Sequence, residues 1–224
     1  MDITTHKNIQ RYSDSEIIRE ILSGSSALFE ILIRRYNPVL YKTGRGYGFN
    51  HQDTEDLMQE AFISSFQSLS KFENRSAFKT WIIRIMLNQC YHKSHHSYQK
   101  HPTVEISVDK NSGSMFLTTN NSNPDASFVN KELKNIIEAA LSKLPEDYRM
   151  TFTLRELTGL SVAETAELLN INPSNVKVRV NRAKVMLRKE IEKIYAAEDI
   201  YEFNLIYCDK IVNAVMKKIL DRSV

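Results

Sequence analysis

The run from Gly159 to Arg188 constrains this chain most, because two helix-start signals stand close together in it. Ser161 and Glu164 have the spacing of a capping box, in which each side chain satisfies a backbone N–H of the first helical turn. Asn172-Pro173 gives the same signal in another form: an Asn cap, then proline at the first helical position, where its missing N–H costs nothing. A first helix over about 161–169 presents Val162, Ala163, Ala166 and Leu169. The turn Asn170-Ile171-Asn172 places Ile171 to plug the core between the helices, and the second helix buries Val176, Val180, Ala183 and Leu187 at helical spacing. Two short helices meeting at a tight turn make a helix-turn-helix.

The outer side of that second helix carries Ser174, Asn175, Lys177, Val178, Arg179, Asn181, Arg182 and Lys184. A helix fits the DNA major groove, where its early residues reach base edges and flanking cations hold phosphates. Val178, apolar on a polar face, suits a thymine methyl. Charge agrees with this reading. The chain holds 30 Lys+Arg against 27 Asp+Glu, close to balance, yet residues 173–189 contain six basic residues and no acid, and residues 71–93 contain five and one. Local basic stretches, not a basic total, are the footprint of nucleic-acid binding. The plainer reading of both stretches is a solvated helix face.

Helical spacing runs through the rest of the chain, with no sustained period-two alternation, which predicts an all-α fold. The first block, residues 12–97, has a helix capped by Ser13, Asp14 or Ser15 and carrying Ile17, Ile18, Ile21 and Leu22. A second apolar series covers Leu28, Phe29, Leu32, Ile33 and Tyr36, and Pro38 is expected to bend it, interrupt it or sit in an early turn. A third helix from about Asp53 bears Leu57, Ala61, Phe62 and Phe66, and a fourth from about Ser76 bears Phe78, Trp81, Ile82, Ile85 and Leu87. Residues 98–127 read as a flexible linker, because Asn111 to Asp125 is rich in Ser, Thr and Asn and has little to bury. A second block, 128–196, opens with Val129, Leu133, Ile136, Ile137, Ala140, Leu141 and Leu144, is broken at Pro145, and resumes from Asp147 to Leu157 before Gly159. An extension, 197–224, has the spacing of a short amphipathic helix at Ile206, Ile211, Val215 and Ile219. The expectation is two small helical domains, a linker and a short C-terminal helix.

Other classes fall away. Six Gly, five Pro and two Cys exclude collagen-like and disulfide-rich chains. No apolar run approaches the ~20 residues that span a bilayer, and the polar start lacks a signal-peptide core. A cytoplasmic protein without membrane insertion is expected. Cys90, His92, His95, His96 and His101 lack zinc-ligand spacing, Gly44, Gly46 and Gly48 are followed by no phosphate-loop Lys, and no nucleophile–base pair stands out. No metal, cofactor or catalytic site is expected.

Two further segments bear chemistry. Asp53, Glu55, Asp56 and Glu60 crowd one helix start with Gln59 among them. They could serve the helix dipole, a metal or an acid–base pair, or an exposed docking surface. Lys71 to Arg84 interleaves aromatics with bases, a pattern suited to single-stranded nucleic acid, although Phe78 and Trp81 taken alone suit a core.

Taken in order, these segments resemble the sigma factors of bacterial RNA polymerase, of the sigma-70 family, and within them the extracytoplasmic-function (ECF) branch that keeps only regions two and four. The resembling residues are Asp53-x-Glu55-Asp56-Leu57-x-Gln59-Glu60-Ala61-Phe62, Phe78-x-Thr80-Trp81-Ile82-x-x-Ile85, Leu144-Pro145, and Val176-Lys177-x-Arg179-x-x-Arg182-Ala183. The resemblance implies that residues 12–97 are region two and 128–196 region four. It makes Asp53, Glu55, Asp56, Gln59 and Glu60 a docking face for the β′ clamp helices of core polymerase, with Leu57 and Phe62 in the core. The β flap of core polymerase is a further contact the resemblance implies. Phe72, Glu73, Asn74, Arg75 and Ser76 would form the loop that captures a flipped-out −10 base, followed by Lys79, Arg84 and Asn88. The helix 173–188 would read the −35 element, with Lys177, Val178, Asn181 and Arg182 nearest the bases. Many such factors are held by an anti-sigma factor, a further partner the resemblance admits. The alternative is a stand-alone helix-turn-helix regulator binding a duplex operator. A metal-dependent hydrolytic site at the acidic segment is a third reading, against which the lack of converging His ligands counts.

Overall fold

The structure, a computed structural model, describes residues 12–100, 124–193 and 211–215. No strand occurs among them. Among the described residues the fold is carried by the helices α1 (Asp14–Leu22), α2 (Phe29–Tyr47), α3 (His51–Gln67), α4 (Phe78–Lys100), α5 (Pro124–Ser142), α6 (Glu146–Phe152), α7 (Val162–Leu169) and α8 (Pro173–Glu192). Residues 211–215 form one further helical turn with Ile211, Val212 and Val215 exposed.

Local signals explain the helix starts. Ser13 caps α1 in a capping box, its N–H donating to Glu16 Oε2 at 2.7 Å while the Glu16 N–H returns to Ser13 Oγ. Asn50 caps α3 by accepting the Asp53 N–H at 2.8 Å, two residues earlier than the expected start implies. The chain reverses between α2 and α3 at Gly48, whose φ of +117° is open to glycine and strained for other residues. Asp14 ties α1 to α2 by accepting from both Arg35 and the Tyr36 hydroxyl.

Three sequence expectations are corrected. Pro38 neither ends nor interrupts its helix, for α2 runs unbroken past it. Leu32 and Tyr36 before it and Leu40 after it are buried on one face, and that packing outweighs the one backbone hydrogen bond a proline removes. The helix that leads into the second block starts at Pro124, ahead of the expected start near Phe128, with proline again in a first helical turn. The helix expected over 147–157 is α-helical only to Phe152, and Thr153–Leu157 continues as a π turn that ends at Thr158, before Gly159 at φ +71°. The proposed linker beyond residue 100 and most of the C-terminal extension lie outside the described residues.

Packing joins the two blocks. Ile17, Leu32, Leu40, Leu57, Ile82, Ile83 and Met86 form an apolar cluster with Met150, Leu154 and Leu160 of the second block. Smaller clusters around Leu144, Phe152 and Ala183 and around Ala166, Val176 and Val180 complete the helix-turn-helix. Contacts divide the chain at Leu187, with residues 1–187 in one compact unit and 188–224 in another. The boundary between the expected domains is therefore a packed interface in the described residues.

Arg149 is the centre of that interface. It is 8% exposed, and its guanidinium donates from Nε to the Gly46 carbonyl at 2.8 Å and from Nη2 to the Tyr47 carbonyl at 2.9 Å, across the blocks. Nη1 donates to the Leu144 carbonyl within its own block at 3.0 Å. Burial pulls its pKa below the ordinary arginine value, and the ring of carbonyls is what makes a buried cation tolerable. Beside it Gly46 lies against Thr153 so closely that a Cβ there would stand 2.6 Å from Thr153 Cγ2.

Candidate nucleic-acid and partner interfaces

The helix-turn-helix is built as its signals require. The Glu164 carboxylate accepts the Ser161 N–H at 2.8 Å and Ser161 Oγ accepts the Glu164 N–H at 3.1 Å. Asn170 closes α7 in the left-handed conformation, φ +51° and ψ +47°, which Asn adopts more readily than most residues. Asn172 Oδ1 then accepts the Asn175 N–H at 2.7 Å to start α8. Val176, Val180 and Ala183 are buried and Ile171 packs between the helices. Of the inward residues expected on α7, Ala163 is exposed, and Thr165 is buried beside Ala166.

On the opposite side Ser174, Asn175, Lys177, Val178, Asn181, Arg182 and Lys184 are exposed, Val178 at 44%. Arg182 reaches the Tyr148 hydroxyl at 3.4 Å and Lys184 pairs with Glu156 at 3.3 Å. Arg179 departs from the group. Its side chain is 22% exposed and pairs with Asp147 at 3.0 Å, because the helical twist turns it toward α6. It braces α8 against α6 rather than standing on the outer face of its helix.

In the first block the loop before α4 is exposed at Glu73, Asn74 and Arg75, with Asn74 in a left-handed turn and Glu73 and Arg75 paired at 2.5 Å. Ser76 is half-buried. Phe72, expected among the base-capturing residues, is 9% exposed and packs edge-on to Phe78 at 5.6 Å and against Trp81 at 5.1 Å. An aromatic ring flanked by two others is held as core, and it anchors the loop rather than facing a base. Asn88 stands exposed on α4. Lys79 and Arg84 are engaged by the second block: Lys79 donates to the Thr158 carbonyl, and Arg84 meets Glu167 at 2.6 Å. Thr80, buried between them in sequence, donates to Glu164 Oε1 at 2.7 Å.

The acidic face on α3 is divided. Asp56, Gln59 and Glu60 are exposed. Asp53 is tied to Lys93 at 2.6 Å, which offsets its charge within the block, and Glu55 lies 3.3 Å from His51 Nε2. Leu57 and Phe62 are buried. The sequence reading missed what stands beside this face: an apolar groove of about 460 Å³ lined by Ile33, Asn37, Glu55, Met58, Gln59, Phe62 and Ile63. Ile63 is 57% exposed at its edge. Two residues of its floor come from α2 and five from α3, so no single stretch announces it, although Ile63 beside Phe62 on an otherwise polar turn was a usable sign. Among the described residues no three His, Cys, Asp or Glu side chains gather as a metal would require, and no helix there is long and apolar enough to cross a membrane.

Comparison with known proteins agrees with this geometry. Residues 32–96 match the family model for sigma-70 region 2, and residues 134–187 match that for sigma-70, region 4; together they span just over half of the chain. The chain belongs to the sigma-70 family. It is an RNA polymerase sigma factor of the ECF type. The ECF RNA polymerase sigma-E factor of Escherichia coli is 28% identical over 187 residues, covering 83% of this chain and 97% of that protein. The sigma-E factor of Haemophilus influenzae is 27% identical and covers 83% and 98%. Among solved structures, CnrH in complex with the cytosolic domain of CnrY matches with a TM-score of 0.57 and 20% identity, covering 81% of this chain and 99% of that one. RpoE of Bartonella quintana, in complex with the anti-sigma factor NepR, gives 0.58 and 21%, covering 73% and 96%. These two share the fold.

Proposed function

We propose that this sigma factor docks on core polymerase through the edge of the α3 groove, with Asp56, Gln59 and Glu60 meeting a basic helical partner and Met58 and Ile63 its apolar side. In this reading residues 12–97 act at the −10 element, 128–196 at the −35 element, 98–127 link them, and 197–224 are an accessory extension. The exposed −35 set is Ser174, Asn175, Lys177, Val178, Asn181, Arg182 and Lys184; the −10 set is Glu73, Asn74, Arg75, Ser76, Lys79, Arg84 and Asn88. The observation that carries the proposal is the outer face of α8, a run of exposed polar and basic residues on a helix whose inner face is locked into a helix-turn-helix. Separate weak contacts joined on one chain gain from effective concentration, which suits a subunit that places two readers on one promoter. The chain supplies specificity and no bond-making step. The solved relative held by an anti-sigma factor makes a protein inhibitor a reasonable further partner.

The test is multi-round transcription from a promoter library with bacterial core polymerase, with and without this protein. Transcripts that require the protein and share two spaced elements support the reading. Tight duplex binding by the protein alone, without core binding, would replace it with an independent operator-binding regulator.

A further inference from the structure

The histidine-rich end of α4 lacks zinc-ligand spacing, and among the described residues no metal-binding cluster forms. It builds a pair of stacked rings instead. Asn88, Tyr91 and His95 stand at i, i+3 and i+7, so they share one face of the helix, and all three are exposed, Tyr91 at 53%. Ile82, Met86 and Cys90 fill the opposite face, within the core, and Tyr91 stands outside it. The Tyr91 and His95 ring centroids are 3.8 Å apart and the planes are 32° from parallel, while His92 meets Tyr91 edge-on at 6.0 Å. A backbone bond fixes the His95 ring in that place. Its Nδ1 lies 2.9 Å from the Tyr91 carbonyl, which can only accept, so Nδ1 carries the proton. Over Phe78–Lys100 the helix has four Lys or Arg residues and no acid, a balance that suits a polyanion.

We propose that the Tyr91–His95 pair is a stacking platform for an unpaired base of promoter DNA. Every base has a flat π-face that can lie on such rings. In a duplex that face is already stacked on its neighbours, so the platform takes single-stranded and not paired DNA. The site is separate from the loop at residues 73–76. Tyr91 lies about 20 Å along the helix axis from Phe78, at 1.5 Å per residue, so it holds a different nucleotide of the same strand. Asn88, one turn before Tyr91 on the same face, offers an amide that can meet a base edge. Stacking tolerates any base, so the platform holds the open strand in place and adds little to sequence preference. Fixing the His95 ring on the backbone before the strand arrives lowers the ordering cost of binding. This inference rests on the promoter-reading role proposed above and adds Tyr91 and His95 to it.

Ring substitutions in the holoenzyme test it. The probe is a fluorescent single strand of mixed sequence, about twenty nucleotides long to exceed one binding site, read by anisotropy beside the same strand annealed to its complement. Tyr91→Ala should lower single-strand affinity about tenfold, the scale of one base stacked on an aromatic ring, and leave duplex affinity, core affinity and the urea midpoint unchanged. Tyr91→Phe and Tyr91→Trp should keep wild-type affinity, because the ring and not the hydroxyl is used. Tyr91→Leu, apolar but not aromatic, should behave as Tyr91→Ala. His95→Ala should cost about threefold, since Tyr91 then loses the ring stacked on it. With 2-aminopurine placed at each position of the strand in turn, quenching that depends on Tyr91 should fall where the base stacks. Equal single-strand affinity in wild type and Tyr91→Ala, or full affinity in Tyr91→Leu, would overturn the inference. A loss of core affinity in Tyr91→Ala would overturn it too, and make the pair a polymerase contact. Failure of the promoter reading itself shows separately, as a holoenzyme that makes no specific transcripts while Tyr91-dependent strand binding persists.

Discussion

The hydroxyl of Thr80 and the carboxylate of Glu164 meet at 2.7 Å although 84 positions separate them. The same carboxylate closes the capping box of α7 through the Ser161 N–H. One side chain therefore fixes a helix start and a contact between the two halves of the molecule. Hydrogen bonds from Thr80 first, and from Ser161 next, hold its pKa below the usual carboxylate value of 4.5.

Glu164 should make stability fall in acid. A carboxylate whose folded pKa is depressed contributes stability that is fully present above its unfolded pKa and is lost as pH drops through the folded value. Glu164→Gln keeps the cap geometry without the charge, so its deficit against wild type in urea titrations should be largest at pH 7 and shrink below about pH 4.5. Glu164→Ala loses both bonds and should cost about 1–2 kcal/mol at neutral pH. A deficit that does not change with pH would remove the charge from this account.

Asn170 holds the turn between α7 and α8 at positive φ. Asn170→Gly should leave the midpoint of thermal unfolding nearly unchanged, because glycine enters this conformation freely. Asn170→Ala should cost about 1 kcal/mol, and a β-branched residue more. Equal stability of the Gly and Ala variants would show that the turn relaxes to another conformation.

The helix-turn-helix was legible because its determinants are local: two caps, a short turn and an apolar face within one stretch of chain. The buried faces of α1, α3 and α4 were legible through helical spacing. The interface between the blocks was not. Arg149 reads as an ordinary surface cation, and nothing near it in sequence names the Gly46 and Tyr47 carbonyls as its partners. Gly44 and Gly46, set aside for failing as a phosphate loop, were the available sign, since glycines inside a helix commonly mark close approach. Gly44 meets Thr54 and Met86, and Gly46 meets Thr153. Phe72 and Arg179 were misjudged for a related reason. Motif position says which segment meets a ligand, whereas exposure depends on neighbours far along the chain.

Cys90 sits in the core of the first block with no exposed surface, and burial pushes its thiol up to about 12. The thiolate is the reactive form, so both access and ionisation protect it. In a Cys208→Ser chain at pH 8, a thiol reagent should label Cys90 slowly in the folded protein and at least about a hundredfold faster in denaturant. Rapid labelling of the folded chain would mean that α4 opens readily.

Docking and reading should separate by mutation, because α3 and α8 present their exposed residues on different elements. Asp56→Ala with Glu60→Ala removes two exposed carboxylates from the edge of the groove and touches no buried group. Affinity for core polymerase should fall about tenfold or more, while folding stability stays within about 0.5 kcal/mol. Lys177→Ala should leave core affinity intact, lower −35-dependent transcription, and reduce the salt dependence of promoter binding by about one charge. Arg182→Ala should do the same with a further loss of sequence preference, provided its guanidinium leaves Tyr148 for a base edge. Transcription yield and core binding measured on one set of variants distinguish the two faces. Full core affinity in the double carboxylate variant would remove docking from α3, and loss of core affinity in Arg182→Ala would remove promoter reading from α8.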